Sequence, residues 1–125
     1  MDTAQQVTNQ SGAGTQDATP TILVEMAMPA NGAGFLQIRV CARNPVTKDT
    51  RAWWAVYWVK SNDAGVIDVT NPNIVLAEKN DDPGASTWSY SVVAASGLVQ
   101  IVVTGEAGAF IEWFGMFDGW ILIPE

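Results

Sequence analysis

The sequence has no histidine, a single cysteine and only six lysines and arginines against thirteen aspartates and glutamates. Without histidine the chain lacks the commonest general base and metal ligand near neutral pH, so any acid–base chemistry would fall to carboxylates. One cysteine cannot close an intrachain disulfide, and with no histidine to activate it Cys41 reads as an inert, half-buried strand residue. The formal charge of −7 repels nucleic acid and anionic lipid. No apolar run approaches the roughly 20 residues of a membrane-spanning helix. The opening Met1-Asp2-Thr3-Ala4-Gln5-Gln6 lacks the basic and apolar regions of a signal peptide. The expectation is a chain folded in the cytosol, with no nucleic-acid or membrane partner.

Other catalytic signatures are missing too. No serine sits in a nucleophile elbow, and no glycine-rich phosphate loop occurs. Asp63, Asp68, Asp81 and Asp82 do not match a calcium loop with ligands at alternate positions, and they read as solvated turn residues. Glu78 and Glu112 could be nominated as a glycosidase pair, but nothing in their spacing brings them together. The expectation is a protein that is not an enzyme, with no cofactor and no metal.

What the chain does contain is strand after strand. Residues 1–19 are mostly Gln, Thr, Ser, Ala and Gly, with Val7 the one bulky apolar side chain after the initiator, so they predict a flexible N-terminal arm. From Pro20 to Glu125 the chain predicts one all-β domain. Strands are expected over Thr21 to Met28, Phe35 to Arg43, Ala52 to Lys60, Val66 to Thr70, Ile74 to Lys79, Trp88 to Val92, Leu98 to Thr104, Phe110 to Phe117 and Trp120 to Ile123. Turn signals separate them, among them Asn71-Pro72-Asn73, Ser96-Gly97 and Asp118-Gly119. Eight or nine strands at this spacing fit an antiparallel sandwich or a jelly-roll-like barrel, with the aromatic strand from Ala52 and the C-terminal strands central. In the second strand Leu36, Ile38, Val40 and Ala42 alternate inward while Gln37, Arg39 and Arg43 face water.

The C-terminal stretch is apolar on both faces. Phe110, Phe114 and Met116 fall on one side and Ile111, Trp113 and Phe117 on the other, more than a small domain can cover by itself. One face is therefore expected to meet another copy or a larger partner, with Val7, Phe110, Trp113, Phe114, Phe117 and Trp120 as interface residues. Six tryptophans in 125 residues allow a second reading. Trp53, Trp54 and Tyr57 could stack on sugar rings, as aromatic side chains do at binding surfaces. Against this, either Trp54 and Trp58 or Trp53 and Tyr57 could fill the core while the rest face a partner subunit.

The run from Thr87 to Trp113 carries a Trp-led strand, a hairpin at Ser96-Gly97, the valine-rich Leu98-Val99-Gln100-Ile101-Val102-Val103-Thr104-Gly105, a small-residue turn and a strand with Trp113. This grammar resembles small β-domains of tailed-bacteriophage virion proteins, of the head-decoration and tail-fibre type. The strand around Cys41 and the aromatic strand at Ala52 to Lys60 echo it more weakly. The resemblance implies a non-enzymatic virion component, commonly trimeric, folded in the host cytoplasm and displayed on the particle. Two roles follow: a capsid decoration protein whose residues 1–19 lie along neighbouring capsomers of the major capsid protein, or a tail-fibre or receptor-binding module that recognises host glycans. The hydrophobic extension from Gly115 to Glu125 departs from the shared pattern and suggests a docking surface.

Overall fold

The computed structural model describes residues 3–124, with side chains for residues 4–69 and 74–124. Eight strands follow one another: β1 (Thr3–Thr15), β2 (Thr21–Ala27), β3 (Ala33–Arg43), β4 (Thr50–Ser61), β5 (Ile67–Lys79), β6 (Ser89–Ala95), β7 (Leu98–Thr104) and β8 (Ile111–Ile123). They form a five-stranded sheet in the order β1-β8-β3-β4-β5 and a three-stranded sheet in the order β2-β7-β6. Every pairing is antiparallel. The two sheets face each other as a sandwich rather than closing into a barrel, and the aromatic strand β4 and the C-terminal strand β8 lie inside the larger sheet, as expected.

Alternation decides which side chains enter the core. On β3, Leu36, Ile38, Val40 and Ala42 are buried, opposite Tyr57, Ala55, Trp53 and Arg51 of β4. Because antiparallel partners share a face, this register draws Trp53 and Tyr57 inward and leaves Trp54 and Trp58 outside. Leu23, Val24 and Met26 of β2 and Val99, Ile101 and Val103 of β7 supply the opposing layer. At one end Trp53 stacks on Trp113 with centroids 6.3 Å apart, Trp88 tilts against Trp113 at 6.5 Å, and Tyr90 meets Trp53 at 5.1 Å. The indole of buried Trp88 donates to Glu106 at 2.9 Å, and the Tyr57 and Tyr90 hydroxyls lie 3.1 Å apart. Arg51 binds the segment before β6 from below. Its guanidinium lies 5.1 Å over Trp53, donates to the carbonyls of Ala85, Ser86 and Trp88, and pairs with Glu78 at 2.9 Å.

Three expectations need correction. The expected arm is, over Thr3–Thr15, a strand: it pairs with β8 in unbroken register from Thr3 opposite Ile123 to Thr15 opposite Ile111, while residues 1 and 2 lie outside the described residues. A backbone ladder needs no bulky side chains, and β8 supplies the apolar surface; Val7 and Ala13 pack at the margin of the core. Two side chains fasten the strand: Thr15 accepts the Trp113 indole N–H at 3.0 Å, and Asn9 donates to the Glu25 carbonyl of β2 at 3.0 Å.

The Asp118-Gly119 pair does not turn the chain, and β8 continues through it. With β1 on one side and β3 on the other, both strand edges at Gly119 are occupied, and a Cβ there would strike the Phe35 carbonyl. Gly119 thus permits a close backbone approach rather than a turn. Likewise Asn71-Pro72-Asn73 lies within one long strand, β5, whose pairing with β4 shifts register between Val56 and Trp58. Where a hairpin does occur, Ser96 and Gly97 take φ of 51° and 79°, the paired positive values of a two-residue turn between β6 and β7.

Candidate functional site

The outer face of the five-stranded sheet is where surplus apolar surface collects. On this face β8 presents Glu112, Phe114, Met116, Asp118, Trp120 and Leu122, while β3 presents Phe35, Gln37, Arg39, Cys41 and Arg43. Register brings them into rows. At one end Trp120, Phe35 and Trp58 stand side by side, with Phe35 edge-on to Trp58 at 6.1 Å and Leu122 beside Ala33 in the next row. Trp58, Trp120 and Leu122 remain 48%, 47% and 50% exposed, which is high for side chains of this size.

A polar belt crosses the middle of the face. The Trp54 indole donates to Gln37 at 2.9 Å, Arg39 donates to the same Gln37 oxygen at 3.3 Å, and the Arg39 guanidinium lies 5.0 Å over the Trp54 ring. Arg39 also faces Asp118 at 3.6 Å. Phe114, Cys41 and Ala52 form a second apolar row, in which the two small residues leave a hollow of about 420 Å³ lined also by Trp54, Ala77 and Glu78. The exposed pair Arg43 and Glu112, 3.0 Å apart, closes this end of the face. Cys41 is exposed, not half-buried as expected.

The residues nominated from the sequence divide between inside and outside. Phe114 and Trp120 are on the outer face, and Phe110 is 45% exposed beside Gly14 of β1. Trp113 and Phe117 are in the core, because on β8 the odd-numbered side chains point to the other sheet. They do not line a surface of the single chain, and Val7 is at most partly exposed. Of the sugar-stacking candidates, Trp53 and Tyr57 are buried and only Trp54 is at the surface. Sequence reading passed over Phe35 and Leu122 as surface groups, and it left Trp58 open between core and surface. The signal that could have found them was the parity of β3 and β4, since the polar residues on the outward face of β3 are in register with the even-numbered aromatics of β4.

The carboxylates are occupied elsewhere. Glu78 pairs with Arg51 and Glu112 with Arg43, on strands separated by β3 and β4. Three strand spacings amount to about 14 Å, beyond the roughly 5 to 9.5 Å of paired glycosidase carboxylates. Asp82 is held below the usual carboxylate range by the backbone N–H of Thr50 and then by Lys79. Asp81 is lowered chiefly by its hydrogen bond to Lys79, and the two carboxylates together raise Lys79. Among the described residues, no three His, Cys, Asp or Glu side chains gather where they could hold a metal ion.

No protein-family model and no curated protein matches this sequence. Solved structures do. A superposition with a TM-score of 0.52 and 7% identity covers 90% of this chain and 26% of the tailspike protein of Acinetobacter baumannii phage AM24. The fold is shared with part of a phage tailspike. A second superposition, on the tailspike protein of Acinetobacter phage vB_ApiP_P1, reaches a TM-score of 0.44 at 12% identity and covers 97% of this chain and 22% of that one. The chain thus spans about a quarter of the tailspike proteins it superposes on.

Proposed function

We propose that this protein is a non-enzymatic structural module of a bacteriophage virion that works as a homo-oligomer. The observation that carries the proposal is the outer face of the five-stranded sheet, where Phe35, Trp58, Phe114, Trp120 and Leu122 stay in water in the single chain. Large exposed apolar patches on soluble folds mark interaction surfaces. The tailspike likeness supports the β-architecture, and the virion setting rests on it together with the strand grammar from Thr87 to Trp113.

Attachment through a free arm loses its basis, since β1 is built into the sheet. Its outer edge replaces the arm as the attachment element: β1 contains no charged residue and no proline, the usual guards of an exposed edge strand. A strand from a capsid or other virion protein could add there. Mass spectrometry of density-purified phage particles from cells expressing the tagged chain checks the assignment. The tagged chain should be retained at fixed stoichiometry with the structural proteins, and its absence from particles would overturn the reading.

A tail module binding host glycans is the second reading, favoured by the hollow beside Trp54 and Phe114. It now rests on Trp54 rather than on three stacked aromatics, and one face of that ring is covered by Arg39. Titration with host-surface polysaccharide should give binding that Trp54→Ala abolishes; no heat or fluorescence change would retire it.

A further inference from the structure

The outer face has the shape of half of a two-fold interface. Its bulky row of Trp120, Phe35 and Trp58 and the row of Phe114, Cys41 and Ala52, low at its two small residues, lie six residues apart on each of the three strands, with the polar belt midway. We propose that a second copy of this chain covers the face, related by a two-fold axis that runs across the strands at the level of Ile38. That rotation keeps each strand over its counterpart and reverses its direction. Phe35 then lies over the partner's Cys41 and Trp58 over the partner's Ala52, so these two side chains meet the hollow of the other copy, while Trp120 lies against the partner's Phe114. At the belt, Gln37 is placed over the partner's Arg39, which also comes within reach of Asp118.

Charge permits a second copy to approach here. The chain carries −7, yet on this face Arg39, Arg43, Lys60 and Lys79 nearly balance Asp68, Glu112, Asp118 and the Asp81 and Asp82 carboxylates that hold Lys79, so the face is close to neutral. Two strongly acidic molecules can therefore approach here without like-charge repulsion. Size is adequate as well. Four strands at about 4.8 Å spacing and ten residues at about 3.3 Å give roughly 600 Å² per copy, or about 1,200 Å² in all; stable interfaces begin near that total. Two antiparallel sheets pack face to face in the aligned manner of a β-sandwich.

This inference rests on the reading of the chain as a self-associating module, and two variants separate their failures. In Phe35→Cys the new thiol would sit opposite the partner's Cys41, while the two thiols of one chain are about 20 Å apart along β3. A short bis-maleimide should then convert most of the protein to a covalent dimer whose linked peptides contain positions 35 and 41, and should leave the native chain uncrosslinked. Ala52→Trp fills the hollow meant for the partner's Trp58 at a surface position and should weaken association by about tenfold or more with the circular dichroism spectrum unchanged. An oligomer by light scattering that shows neither effect overturns this arrangement and leaves self-association standing. A strict monomer overturns both.

Discussion

Replacing Thr15 by valine removes one oxygen and little else, and it tests whether the N-terminal segment is part of the fold. Thr15 is 5% exposed and Trp113 3%, and the Thr15 hydroxyl accepts the indole N–H at 3.0 Å. Valine preserves the volume and branching while leaving a buried donor unpaired, which costs about 1 to 3 kcal/mol. Thr15→Ser keeps the acceptor and gives up one methyl, about 0.8 kcal/mol. At an m-value of about 2 kcal/mol per molar, the valine variant should unfold at a urea midpoint lower by roughly 0.5 to 1.5 M, with the slope unchanged. Tryptophan fluorescence is the natural probe, because Trp113 lies in the core beside Trp53 and Trp88. If Thr15→Val unfolds with the native chain, or Thr15→Ser falls further than Thr15→Val, the clamp does not hold β1 and the segment behaves as the loose arm its composition suggested.

Arg51→Ala should cost about 2 to 4 kcal/mol, because the carbonyls of Ala85, Ser86 and Trp88 and the Glu78 carboxylate all lose their donor; Arg51→Lys should recover little of this, since an ammonium lacks the planar fork, and hydrogen exchange should rise first over residues 83–88. Gly119→Ala should destabilise by about 2 kcal/mol or more by forcing β8 away from the Phe35 carbonyl, read as a drop in melting temperature with loss of protection in β3. Asp82 has a folded pKa below its ordinary 3.8, so its contribution to stability is fully present above that pH and is lost as pH falls through the folded value. The stability gap between the native chain and Asp82→Asn should therefore be constant near neutrality and vanish in strong acid. Lys79 has the opposite sign, and its contribution fades only above pH 10.5. Urea midpoints across the pH range check both.

Local pattern carried much of the fold. The alternation in β3, the Ser96-Gly97 hairpin and the strand from Leu98 to Thr104 could be read directly, because each depends on period-two burial or on a turn residue's own φ. The errors arose where partners override local preference. Asp118-Gly119 has the chemistry of a turn, but flanking strands on both edges make it a passing place for two backbones. Residues 3–15 lack apolar content, but a ladder to β8 and two side-chain hydrogen bonds order them regardless. At the candidate site, Phe114 and Trp120 were legible from the two-faced character of the C-terminal strand. Phe35 and Leu122 were not, and Trp58 was left open, since only the register of β3 against β4 and β8 decides which side chains share the outer face.

Sedimentation velocity of the 125-residue chain over a range of concentrations tests most directly whether the aromatic outer face is built to be covered by another copy. The expected species has twice the 13.4 kDa of one chain and shifts toward single chains in Ala52→Trp. A native protein that stays at 13.4 kDa at every concentration, with Trp58 and Trp120 still open to aqueous quenchers, would contradict it.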